Sequence, residues 1–215
     1  MAGFRTHITV SSGLGVVYGG VAVQPMNFST ETAVLAAGLT AVGGMLPDLD
    51  SDSGVPVREM FGLAAAVLPL MAIPRLNHMG VSLEGRLAFI LFAYLIIRYG
   101  VSRVFKHFTV HRGMYHSIPA MLIAGLLVFL AYSNPTHPDR PTRVLLAVGV
   151  MVGFLSHLVL DEIYSVNFNG VRFKLKASAG SAVKLFSPSF VGTAVCYLLL
   201  GALCYLAYLD VFPPP

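Results

Sequence analysis

The sequence predicts an all-α fold, a polytopic membrane helical bundle of five to seven spans with a polar site at the cytoplasmic ends of its helices. Three observations carry that expectation. Of 215 residues, 56% are hydrophobic and only 11% charged, with a mean hydropathy of +0.75, whereas a soluble domain carries about 25% charged residues. Long apolar runs recur, bounded by Pro, Gly or polar residues. Lys and Arg gather on alternate connections.

The runs fall at about 9–23, 32–46, 59–74, 86–105, 118–133, 143–165 and 190–209. The last four have the length and hydropathy of spans, since roughly 20 apolar residues cross a core of about 30 Å. The first three are short or rich in Gly and Ala, as in segments that tilt, re-enter or lie buried among other helices. Arg5 and His7 lead into a Gly-punctuated segment with no compact leucine-rich core and no cleavage site, so the first run is expected to stay rather than be removed. The longest polar connections lie at about 47–58, 134–142 and 166–189, and the tail from Pro213 reads as a frayed end. With no internal repeat and no soluble segment, the expectation is a single integral membrane domain over 1–215.

Cys196 and Cys204 are eight apart in the last run. Two helical turns put them near one face but too far apart to bridge, so they read as packing residues and imply neither disulfide nor cysteine zinc site.

Alternation of seven spans places the N-terminus and the loops near 47–58, 106–117 and 166–189 on one side. That side holds Arg5, Arg58, Arg103, Lys106, Arg112, Arg172, Lys174, Lys176 and Lys184, against Arg75, Arg86, Arg140 and Arg143 on the other. The positive-inside rule makes the richer side cytoplasmic, and dropping the first two runs as a pair leaves that orientation unchanged. The net charge of +4 then needs no nucleic acid, because basic loops facing anionic lipid account for it. The stretch VRFKLKASAGSAVKLF, in the basic loop at 166–189, reads equally as an interfacial segment or a solvated loop.

Four polar clusters stand out, all at the cytoplasmic ends of their segments: His7 in RTHITVSSGLG, Asp48, Asp50 and Asp52 in LPDLDSD, His111 and His116 in HRGMYHS, and His157 and Asp161 in SHLVLDE. His157 and Asp161, four apart, share one helical face and can meet a single ion or two neighbouring ones. Asp48 and Asp50 follow Pro47, and in an extended loop they would point the same way. Ser117 is a good N-cap with Pro119 in the following first turn, which leaves His116 and His111 on the loop before a helix.

Imidazole and carboxylate without thiolate suit Zn, Mn or Fe. His7, Asp48, Asp50, His111, His116, His157 and Asp161 are the candidate metal ligands, enough donors for one or two divalent ions, Zn foremost. Taken singly each has a bland alternative: an interfacial histidine at position 7, an intrahelical pair at 157 and 161, a solvated acidic loop after Pro47. Ionisable groups near a bilayer are costly, and several together argue for function. Arg112 is a candidate anion clamp or a plain basic flank; Glu162 and Asp52 are candidate acids or bases, or partners that orient a histidine. His78 and His137 read as surface residues, and His107 at best supports the ligands from behind.

The ordered set of TH near the N-terminus, a Gly-rich segment ending in LPDLD, then HRGMYHS and SHLVLDEIYS resembles the YdjM-type family of bacterial inner-membrane, metal-dependent hydrolases over about 7–187. The resemblance implies a multi-pass protein of the bacterial cytoplasmic membrane, a hydrolase activity, and the same seven ligands. A looser likeness, resting on His157-x-x-x-Asp161, is to zinc-dependent phospholipase C and related nucleases, and it tilts the expected reaction toward phosphoester cleavage. The expected partners are the membrane and a lipid or amphiphilic substrate, with no nucleic acid and with protein partners unspecified. A divalent-metal transporter or sensor, and a structural metal clamp in a membrane scaffold, are the alternatives.

Overall fold

The computed structural model describes residues 3–50, 55–103, 114–131, 140–168, 173–175 and 183–212. The chain divides into two compact units, 1–48 with 112–215, and 49–111.

In the first unit, α1 (Phe4–Val23) turns back into α2 (Thr30–Gly43). The reversal uses Asn27 in the left-handed region, at φ 56°, where Asn is among the better-tolerated residues. Ser29 caps α2 by accepting from Thr32 N at 3.2 Å. After α2 comes a 3₁₀ turn, Pro47–Asp50. This differs from the extended loop expected there, because three residues per turn do not align positions two apart.

The same unit continues with α6 (Ile118–Ala131), α7 (Arg140–Ser165) and α8 (Phe190–Val211), numbered after three helices of the second unit. Ser117 caps α6, accepting from Ala120 N at 3.2 Å while donating to Met114 O at 2.5 Å. Ser189 caps α8 through Gly192 N. Between α7 and α8 lies a departure from all-α content, a two-stranded antiparallel hairpin of β1 (Val166–Phe168) and β2 (Phe173–Leu175) within the expected basic loop.

The second unit holds α3 (Val55–Met71), α4 (Ile73–His78) and α5 (Leu83–Leu95), the last running on through a π-helical stretch, Ile96–Val101. Pro69 and Pro74 flank the break between α3 and α4, where proline removes helical hydrogen bonds.

Among the described residues, α1, α7 and α8 are long and apolar enough to cross a membrane. The 14 residues each of α2 and α6 reach about 21 Å at 1.5 Å per residue, short of the hydrocarbon thickness.

Small residues set how closely the first unit packs. A Cβ on Gly15 would lie 2.5 Å from Ala37 O, and one on Gly149 3.0 Å from Thr40 Oγ1. Gly43 and Gly153 are tighter still, against Val150 O and Thr40 O. Such close backbone approach is how helices pack where lipid removes the hydrophobic drive between them. Ala22, Ala33, Ala36, Leu145 and Leu146 fill one part of the core, and Met121, Phe154 and Leu158 another.

Opposite ends of this unit differ in chemistry. Tyr18 donates to Leu145 O at 2.8 Å, and Arg143, pairing with Asp210 at 2.5 Å, lies over the Phe129 ring. Arg143 is therefore an ion-paired, buried residue rather than the loop charge its position suggested. The other end gathers the histidines.

Candidate metal centre

Two helical stripes deliver the polar side chains. On α1 the buried positions His7, Ser11, Gly15 and Gly19 recur every four residues; on α7 Gly149, Gly153, His157 and Asp161 do the same. Glycines bring α7 against α2 and α1 against α2, and the continuation of each stripe then carries a histidine or aspartate into the same space. Ser11, fully buried, donates to Ala41 O at 3.1 Å and holds α1 to the end of α2.

Five of the expected ligands converge in the first unit: His7 from α1, Asp48 from the 3₁₀ turn, His116 from the turn before α6, and His157 and Asp161 from α7. The His7 and His157 rings stack 3.6 Å apart at 12°. His7 Nε2 is 3.3 Å from Asp161 Oδ1, His157 Nε2 is 3.5 Å from Asp48 Oδ1 and 3.8 Å from Asp161 Oδ2, and His116 Nε2 is 3.7 Å from Asp48 Oδ1 and 4.0 Å from Asp161 Oδ2.

The ring of His157 is oriented by a backbone group. Its Nδ1 lies 2.7 Å from Gly44 O. A carbonyl only accepts, so Nδ1 carries the proton and Nε2 presents its lone pair, the arrangement typical of a metal-binding histidine. That Nε2, like His7 Nδ1, is buried with no hydrogen-bond partner among the described residues. Buried polar atoms are rarely left so without a reason.

A metal ion fits the spacing. Tetrahedral ligands about 2.1 Å from one ion stand roughly 3.4 Å from one another, and the nitrogen-to-oxygen separations here run from 3.3 to 4.0 Å. Two sets of donors can hold an ion, His7 with Asp48 and His157, and His116 with His157 and Asp161. Both need His157, whose Nδ1 is committed to Gly44.

Asp48 is the most exposed of the five. Burial pushes its carboxyl up, but the neighbouring His116 imidazole, together with the fields of His157 and His7, outweighs that and holds it below the ordinary value of 3.8.

The remaining expected residues fall elsewhere. Glu162 follows Asp161 on α7, about 100° round the helix, and its Oε2 is 3.5 Å from Ser165 Oγ. His111, Arg112, Asp52, His107 and His137 lie outside the described residues, as does the side chain of Asp50. His78 is exposed at the end of α4. Sequence reasoning missed the Gly44 carbonyl and Ser11. The four-residue spacing that runs from Gly149 through Gly153 into His157 and Asp161 was the available signal for the stripe.

Comparison with curated proteins and with solved structures finds no match. The family model described as YdjM inner membrane protein matches residues 1–207, a stretch that takes in all four polar clusters, and on that match the chain belongs to the YdjM inner membrane protein family.

Proposed function

We propose that the chain is a membrane-bound, metal-dependent hydrolase that holds one divalent ion, Zn²⁺ ahead of Mn²⁺ or Fe²⁺, and cleaves an ester or phosphoester bond of a lipid or amphiphile at the cytoplasmic interface. The observation that supports this is the buried His157 Nε2, oriented by Gly44 O and facing two carboxylates at 3.5 and 3.8 Å, beyond hydrogen-bond reach yet at the spacing of co-ligands. One ion rather than two follows from the described donors, because both candidate sets share that nitrogen.

A divalent ion bound there would acidify a water toward neutrality and polarise the scissile group. The residues of the chain do the rest. His116, His157 and Asp161 form the buried side of the centre and Asp48 the side open to solvent, so an amphiphile's head group approaches past Asp48 while its tail stays in lipid. Arg112 is assigned to the anionic part of the head group, and a water to protonating the leaving group. Transport or sensing with the same ligands is disfavoured by their place at one end of the helices, since carriers keep such sites near the midplane.

The test is metal content and hydrolysis measured together on detergent-purified wild type, His157→Ala and Asp161→Asn. The expected result is about one equivalent of Zn in wild type, metal affinity at least ~100-fold weaker in both variants, and loss in step of activity on 4-nitrophenyl phosphate, 4-nitrophenyl butyrate or a short-chain phosphatidic acid. Bound metal with none of the three cleaved would move the assignment to a transporter or scaffold. No metal would leave a buried polar network.

A further inference from the structure

The segment 183–189, just ahead of α8, has its backbone tied inward and its apolar side chains turned outward. Ile118 N donates to Lys184 O at 3.1 Å, and Ser117 and Lys184 pair as a parallel bridge, which fixes the segment one residue from His116. On the α8 side, the Tyr197 hydroxyl donates to Leu185 O at 3.1 Å, Phe186 stacks on the Tyr197 ring, and Ser187 N donates to Thr193 Oγ1 at 3.1 Å. With its backbone so held, the segment still leaves Leu185 52%, Phe186 66% and Phe190 84% exposed.

Two features say what covers this surface. It is continuous with α8, whose most apolar stretch is only 11% buried within the chain, the condition of a helix facing lipid. It also carries a cation: Lys184 lies within it, between the exposed Val183 and Leu185. Apolar and aromatic side chains interleaved with lysine, at the end of a lipid-facing helix, match the boundary between acyl chains and anionic head groups.

We infer that residues 183–190 form an interfacial anchor that seats in an anionic lipid head-group layer and, through the Lys184 to Ile118 hydrogen bond, fixes the depth of the His116 turn in the membrane. Only the consequence that a reactive centre is thereby held at head-group level rests on the hydrolase reading. The anchor itself stands on exposure, charge and backbone hydrogen bonds.

The chain has no Trp, so a single introduced indole reports depth. Phe186→Trp and Phe190→Trp are placed at exposed positions that leave the core untouched, and Leu198→Trp, 73% exposed on α8, serves as the deep marker. Each is reconstituted in phosphatidylglycerol or phosphatidylcholine vesicles whose acyl chains are brominated near the head group or near the bilayer centre. The two anchor positions are expected to be quenched most by shallow bromine and Leu198→Trp by deep bromine. Shallow quenching of Phe186→Trp should fall roughly twofold when phosphatidylcholine replaces phosphatidylglycerol, and by a similar factor when Lys184→Gln is added. Water-like, unquenched emission from both anchor positions, as for a solvated loop or a surface covered by another protein, overturns the proposal, and so does preferential quenching by deep bromine. Equal quenching in the two lipids overturns its electrostatic half. The readout needs neither bound metal nor turnover, so it fails or holds independently of the hydrolase assay.

Discussion

Asp48 differs from its four neighbours in being reachable from solvent. Its side chain is 17% exposed, against 0 to 3% for those of His7, His116, His157 and Asp161. Its ionisation is held in place by the histidines around it, which outweigh the opposing effect of burial. A carboxyl with a folded value below 3.8 contributes stability that is present above the unfolded value and is lost as pH falls through the folded one. In chelator-treated protein, thermal stability is therefore expected to lose the Asp48 contribution only below the ordinary carboxylate range, and Asp48→Asn should lack that acid-side decline while being less stable at neutral pH. A melting series from pH 7 downward on both proteins checks it; parallel curves would show that the histidines do not hold this carboxylate. The sequence named Asp48 and Asp50 alike, because a loop after proline gives no means of telling a 3₁₀ turn from an extended strand. Asp48 is the one whose described contacts reach His116 and His157.

At the scale of elements, the ligands are extensions of the packing stripes. Gly153 is one turn before His157, and Gly15 is two turns after His7, with Ser11 between them. Whatever moves these helices apart moves the nitrogen atoms with them. A side chain at position 153 would strike the Thr40 carbonyl, a backbone atom that cannot rotate away, so Gly153→Val should destabilise the protein by about 3 kcal/mol or more and weaken metal binding although no ligand is touched. Gly13 on the same α1 meets nothing within 4 Å. There Gly13→Ala should be neutral or add up to about 1 kcal/mol through helix propensity. Reversible unfolding in mixed micelles, paired with metal content, separates the two cases, and equal tolerance of both substitutions would contradict the close helix contact. Helix existence was legible from hydropathy in every run. The β hairpin was not, because three-residue strands are too short for a period of two to stand out, and the same mixture of Lys, Phe and Leu fits an interfacial or solvated loop.

For the whole molecule, the alternating direction of the helices in the first unit decides which of their ends lie together. His7 opens α1, Asp48 follows α2, His116 precedes α6 and Asp161 lies near the end of α7, so the centre collects the starts of α1 and α6 and the ends of α2 and α7. The next helix, α8, starts beside the same turn, through Thr193 Oγ1 and Met114 Sδ at 3.8 Å, and finishes where Asp210 meets Arg143 and Val211 O accepts from Arg140 at 3.2 Å. The two groups of residues therefore belong to opposite ends of one bundle. Arg5 and Lys184 lie with the histidine end, while Arg143 at the far end is neutralised by Asp210 and weighs little in the charge asymmetry expected to orient the chain. The histidine end should accordingly be cytoplasmic and Val211 periplasmic. A green fluorescent protein fused before residue 1 is expected to fluoresce, whereas alkaline phosphatase fused after residue 215 is expected to be active and a fluorescent protein there dark. Asp210→Lys should not invert the result, because the cytoplasmic loops retain their excess of Lys and Arg; fluorescence from the C-terminal fusion of the unmodified chain would place the metal centre on the other face and remove the cytoplasmic substrate from the proposal.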